Sequence, residues 1–425
     1  MSARSPSGRA LFRLLAVRRG PPWGEETRPP MSQETSVITP PGGRRMTPRD
    51  VTESLRAATP LELLFDLCFV VAVAQSAAGL HHALASGHVG DGLLSYAMTF
   101  FAIWWAWMNF SWFASAYDTD DVPYRIAALV QITGALILAA GIPRAFEHRD
   151  FTIAVLGYVV MRTALVANWL RAAAADPEGR GTALRYAAGI TAVEAAWVVM
   201  LTLPSGIRLW AWLLLACADV SVPVWAERRH RTAWHPHHIA ERHGLFTLIV
   251  LGESILAATL AVQGAVDTEQ ATADLYGVAG GGLLIVFSMW WLYFAKPAHR
   301  FLTSNRAAFL WGYGHYLVLG SAAAVGAGLS AAVDGATGHF HGGAVARGAV
   351  VTVPVAVFLL TVWWLQHRPH QVSRSHKVLV PGAAALVLAA TFVPMPALAT
   401  GAVLAALVAV AVLIARREGA AAGHG

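Results

Sequence analysis

Long apolar runs alternate with short polar segments from about residue 61 to residue 415, and each run is close to bilayer length. A helix needs roughly 20 apolar residues to cross about 30 Å of hydrocarbon. That criterion predicts helices with cores near 61–84, 93–117, 123–142, 151–172, 183–203, 206–227, 238–262, 275–295, 306–333, 345–366, 378–394 and 397–415. Pro394 and Pro396 separate the last two with almost no loop, so these are either two spans or one re-entrant unit, giving eleven or twelve in all. The expected fold class is all-α, a polytopic transmembrane bundle of about 12 helices. Residues 1–58 are rich in Arg, Pro, Ser and Glu, show no sustained period, and read as a disordered basic tail. Its stretch ALFRLLAV is short and split by Arg13, which argues against a signal peptide, and Met31 and Met46 are alternative starts.

Short self-similarities suggest two halves. Leu64-Phe65-Asp66-Leu67 matches Leu245-Phe246-Thr247-Leu248, and Arg125 matches Arg306 at the same offset of 181. Phe101-Ala-Ile-Trp104-Trp105 likewise matches Phe287-Ser-Met-Trp290-Trp291. Six helices per half make the repeats parallel, related by an axis along the membrane normal. The expected division is a first repeat at 59–230, a second at 231–416 and a flexible C-terminal tail at 417–425.

Basic residues set the orientation. With a cytoplasmic N-terminus, internal loops hold Arg125, Arg171, Arg180, Arg185, Arg228, Arg229, Arg231, Lys296, Arg300, Arg306, Arg368, Arg374 and Lys377, whereas external loops hold only Arg144, Arg149, Arg208 and Arg347. Both termini are therefore expected in the cytoplasm. The composition, 56% hydrophobic and 13% charged, is that of a membrane protein, with the lipid bilayer as its first partner. The net charge of +6 comes from arginine; Lys296 and Lys377 are the only lysines, a bias that fits a GC-rich bacterial source. The basic His-rich loop from Arg228 to His238 reads as a solvated face, and no nucleic-acid partner is expected. Cys68 and Cys217 lie in apolar spans and read as small packing residues. Gly277 and Gly281 have the spacing that lets membrane helices approach closely.

Ionisable residues inside the spans carry the chemistry, because a charge near the bilayer centre costs about 2.5–3.5 kcal/mol on insertion scales. Thr59-Pro60-Leu61-Glu62 is a capping box, which explains Glu62 structurally. Asp66 lies one turn deeper on the same face, too deep to cap. On helix seven, starting near Pro236, His238 and Glu241 occupy the first turns, while Glu253 lies past the midplane on the stripe that carries Arg242. Arg162 and Glu194 sit at similar depths in helices four and five and read as an ion pair gluing them together. Asp219 precedes Pro223 by one turn, so the proline frees its carbonyl beside a carboxylate, an arrangement suited to a cation or a proton-carrying water.

Three blocks of residues resemble the bacterial low temperature requirement A proteins. They are Glu62-Leu-Leu-Phe65-Asp66-Leu-Cys-Phe69-Val70, His238-Ile-Ala-Glu241-Arg242-His243-Gly244-Leu245 and Leu251-Gly252-Glu253-Ser254. The resemblance spans about residues 55 to 415, with Cys68 where that family often has an aliphatic and His243 where it often has an aromatic. It implies a multi-pass bacterial inner-membrane protein with a loose link to growth in the cold.

Three classes of function follow. The leading one is a proton- or ion-coupled transporter or permeation pathway for a small ion or small molecule, with Asp66, Glu253 and Asp219 binding ions or protons and Arg162 with Glu194 as support. The second is an intramembrane enzyme in which Glu62, Asp66, His238 and Glu241 hold a divalent metal such as Fe, Mn or Zn, if helices one and seven touch. The third is a non-catalytic scaffold or sensor whose polar residues only fix helix packing.

Overall fold

A computed structural model of the chain describes residues 45–50, 53, 56–268, 272–367 and 374–422. Its helices, in chain order, are α1 (Pro60–Ala85), α2 (Val89–Tyr117), α3 (Val122–His148), α4 (Thr152–Ala175), α5 (Arg180–Met200), α6 (Ser205–Ala226), α7 (Pro236–Asp267), α8 (Ala273–Phe294), α9 (Asn305–Ala336), α10 (Ala344–Val362), α11 (Arg374–Ala389) and α12 (Pro396–Ala422). Each coincides with one of the apolar runs, and no strand occurs among the described residues. The last two runs form two helices, separated by a 3₁₀ turn at Ala390–Phe392. Among the described residues ten helices are long and apolar enough to cross a membrane; the exceptions are α11, which is short, and α2, whose Trp, Tyr and Ser content lowers its hydropathy. The protein is a polytopic helical bundle in a lipid environment.

Helix starts follow local chemistry. Thr59 caps α1 as the box requires, accepting from Glu62 N–H while the Glu62 carboxylate accepts from Thr59 N–H at 2.8 Å. In α7 the His235 side chain is the N-cap and Pro236 occupies the first turn. The two helices that dominate the charged centre thus begin alike, with a side-chain cap followed by proline.

Packing neighbours recur between the first and last six helices: α1 on α3 and α7 on α9, α3 on α4 and α9 on α10, α4 on α5 and α10 on α11, α5 on α6 and α11 on α12. Extensive packing of α8 along α12 has no equal between α2 and α6. Its cause is Gly281, where an added Cβ would come within 2.5 Å of the Ala397 backbone. Helix α9 is the most buried span and touches α1, α2, α7, α8 and α10.

The expected N-terminal tail lies outside the described residues at 1–44, 51, 52, 54 and 55, and the C-terminal tail does so at 423–425. Between these, Met46 and Arg56 are buried, and α12 continues to Ala422. Arg49 and Arg56 lie across the end of α2, with Arg49 N–H donating to Ala116 O at 2.9 Å and Arg56 Nη2 to Ala114 O at 2.8 Å. In the loops, Arg368 is outside the described residues.

Candidate functional site

Two clusters of buried charge are present. The first joins α1, α2 and α7. Glu62 and His238 each stand two residues past the proline that opens their helix, and Asp66 and Arg242 each stand six past it. Because α1 and α7 start at the same level and run side by side, equal spacing becomes equal depth and the pairs meet. His238 Nε2 stands 3.0 Å from Glu62 Oε1, and Arg242 Nη2 donates to Asp66 Oδ1 at 2.7 Å, all four side chains being wholly buried. Glu62 therefore does two things with one carboxylate: Oε2 caps α1 and Oε1 faces His238.

Helix α2 supplies the polar floor. Trp107 Nε1 donates to Asp66 Oδ1 at 2.7 Å, Arg242 Nη2 also reaches Ser111 Oγ at 3.2 Å, and the guanidinium lies 5.8 Å from the ring centres of both Trp107 and Phe110. At the water end Arg56 donates to Ser115 O at 2.5 Å and approaches Asp118 Oδ2 at 3.4 Å. Burial pushes the Asp118 carboxyl up to about 6, helped by Glu62 and opposed by Arg56. Burial likewise lowers Arg56, against the pull of Glu62 and Asp118. Asp66 Oδ2, Arg242 Nε and Nη1 and His238 Nδ1 are buried with no hydrogen-bond partner among the described residues. Such atoms are where a water or small ion would be held.

Of the metal set proposed from sequence, Glu62 and His238 meet, whereas Asp66 and Glu241 are turned to other partners. Glu62 faces His238 and Asp66 is held by Arg242, while Glu241 Oε2 lies 3.9 Å from His237. No group of three or more His, Cys, Asp or Glu side chains among the described residues is placed to hold a metal ion.

The second cluster lies within α4, α5 and α6. Arg162 Nη2 donates to Asp219 Oδ1 at 2.6 Å, its Nε lies 3.4 Å from Glu194 Oε2, and its guanidinium lies 4.9 Å from the centre of the Tyr158 ring. Asp219 also accepts from Trp197 Nε1 at 2.8 Å. The Arg162–Glu194 contact read from helix depth is therefore present, with Asp219 the nearer partner of the same guanidinium. Neither Glu194 oxygen, nor Arg162 Nη1, has a hydrogen-bond partner among the described residues. Glu253, by contrast, is half-buried on α7 with no hydrogen bond or ion pair among the described residues.

Sequence reasoning missed several members. Arg242 was noted only as a stripe-mate of Glu253, and Trp107, Ser111, Arg56, Asp118 and Trp197 were not singled out. Matched distances from Pro60 and Pro236 were a usable signal for the Asp66–Arg242 pair. A third polar feature, at the α6 terminus, was also unforeseen. Glu227 accepts from Trp112 Nε1 (2.9 Å), Tyr186 Oη (2.8 Å), Thr232 Oγ1 (2.7 Å) and Asn305 Nδ2 (2.5 Å), tying α2, α5 and α9 together. Burial raises its carboxyl above the ordinary value, and those donors oppose the rise.

Comparison with known proteins adds two likenesses. The family described as bacterial low temperature requirement A protein matches residues 57–414. An uncharacterized protein of Rhizobium meliloti (strain 1021), RA0937, is 26% identical over 290 residues, covering 64% of this chain and 68% of its own length.

Proposed function

The chain belongs to the bacterial low temperature requirement A family, and from that premise we propose a proton- or ion-coupled transporter or permeation pathway of the bacterial inner membrane, with both termini in the cytoplasm. One observation carries the reading. The cluster between α1, α2 and α7 holds three carboxylates, Glu62, Asp66 and Asp118, against two guanidiniums, Arg56 and Arg242. It is neutral only when it keeps one further proton, for which we take His238 and Asp118 as the candidate places. A buried group of fixed geometry that must hold one labile proton is what a proton-coupled step requires.

The helices that carry this proton belong to different sequence halves, and the recurring pairings of α1–α6 in α7–α12 support the parallel repeat. Loss of a proton from His238 removes the positive charge facing Glu62 and weakens the hold of α7 on α1. A change of protonation thereby becomes a change in how the halves pack. Asp219 and Glu253 are proposed as further ion-binding carboxylates along the pathway. His235 and His237 tie Glu53 and Arg56 to the cytoplasmic end of the cluster: His235 contacts Glu53 O at 2.7 Å and His237 contacts Arg56 O at 3.3 Å.

The test is collapse of an imposed pH gradient in proteoliposomes of the purified protein. Wild type is expected to dissipate the gradient, His238→Gln to slow dissipation at least tenfold while remaining folded, and Glu253→Gln to reduce it. Unchanged flux in His238→Gln, or no flux in wild type over a broad panel of ions, would remove the transport reading and leave the scaffold.

A further inference from the structure

A cavity of about 30 Å³ lies among α2, α4, α5 and α6, with Phe101, Tyr158, Trp197 and Trp212 on its walls and Asp219 at its polar point. Its lining includes Phe151, the N-cap of α4, and Asp219, which is about 21 Å along α6 from Ser205 at 1.5 Å per residue. We propose that this cavity binds a small protonated amine, of ammonium to methylammonium size, against Asp219.

Charge is the first argument. Arg162, Glu194 and Asp219 are all buried, and one guanidinium faces two carboxylates, so the group lacks one positive charge. Wall chemistry is the second. Aromatic faces attract a cation through their quadrupole and accept its methyl groups as apolar surface. A metal cation needs a shell of oxygens, and here the polar lining is a single carboxylate and the Tyr158 hydroxyl, which already donates to Ala102 O. An N–H cation needs only acceptors within reach. Size is the third, since a space of this volume takes about two waters.

Binding also has a defined structural response. The incoming ammonium replaces Arg162 as the partner of Asp219, and the guanidinium moves onto Glu194, whose nearer oxygen is 3.4 Å from Arg162 Nε and whose two oxygens carry no other hydrogen bond among the described residues. Two carboxylates then meet two cations. The inference deepens the transport reading by naming a cargo, and rests on it for the step after binding.

The experiment is calorimetric titration of the purified full-length protein with methylammonium chloride, with sodium chloride at matched ionic strength as control, followed by labelled methylammonium uptake into proteoliposomes. Saturable binding is expected in wild type, weaker by at least tenfold in Asp219→Asn and severalfold in Trp212→Leu. Trp212→Leu leaves the ion pairs intact and decides the matter if Asp219→Asn fails to fold. Absence of saturable binding, equal binding of sodium, or full affinity in Trp212→Leu overturns the site. Binding without uptake upholds the site and overturns transport of this cargo, whereas proton flux without methylammonium binding overturns the site and leaves the transport reading standing.

Discussion

The cluster between α1, α2 and α7 and the cluster within α4, α5 and α6 use the same residue types to different ends. In the first, each carboxylate has its own partner: Glu62 faces His238, Asp66 faces Arg242 and Asp118 faces Arg56. In the second, Asp219 and Glu194 share Arg162, and a cavity lies beside Asp219. Paired charges resist solvation and fix geometry, whereas two carboxylates that share one guanidinium beside open space leave room for a second cation. The first cluster is thus suited to latching α1 and α2 to α7 through a proton, and the second to receiving a cation.

The comparison breaks most sharply at Arg242. Arg242→Met leaves Asp66 buried without its partner, and removing one member of a buried pair typically costs about 3–5 kcal/mol. Thermal unfolding in detergent should show a loss of that order, and the double variant Arg242→Met with Asp66→Leu should recover most of it. A double variant as unstable as the single would mean that the charges do more than compensate each other.

Asp118 sharpens the comparison next, through pH. Its carboxyl rises from 3.8 to about 6 on folding, so between these values the folded protein keeps a proton that the unfolded chain has released. Stability therefore falls as pH rises from about 4 to 6 and is level above that, by at most about 3 kcal/mol. In Asp118→Asn this part of the slope should vanish when unfolding is followed across that range. A variant whose profile parallels the wild type would place the labile proton elsewhere in the cluster.

The sequence and the structure agree best where axial position alone decides. Helix limits follow from hydrophobic length, the Thr59–Glu62 box from local chemistry, and the Arg162–Glu194 contact from depth. Rotation about the helix axis and the choice of neighbours are set by packing. Asp219 was therefore placed on its helix but not on Arg162, and the four residues considered for a metal were given a common destination that the packing divides. Trp107 and Trp197 escaped notice because aromatic residues fill membrane helices for many reasons, and only contact with Asp66 and Asp219 distinguishes these two. Arg56 and Asp118 were hidden by lying outside the apolar runs, although they complete the charge balance of the first cluster.

The smallest effect discriminates best between the clusters, because it concerns one conservative change made at two places. Glu62→Gln replaces a carboxylate that accepts from Thr59 N–H at 2.8 Å and Thr59 Oγ1 at 3.1 Å while facing His238 at 3.0 Å. Weakened charge-assisted bonds of this kind cost about 1–3 kcal/mol. Glu194→Gln replaces a carboxylate with no hydrogen bond among the described residues and removes the surplus negative charge beside Arg162, whose 2.6 Å bond to Asp219 is untouched. Stability should then stay near that of wild type or rise, because a neutral amide replaces a buried carboxylate that has no cation of its own, while methylammonium affinity falls because the guanidinium has lost the carboxylate that would receive it. Parallel unfolding and calorimetric titration of the two variants check both halves of this expectation. If Glu194→Gln proves as destabilising as Glu62→Gln and leaves ligand affinity unchanged, Glu194 serves the fold in the same way as the paired acids, and the second cluster does not receive a cation.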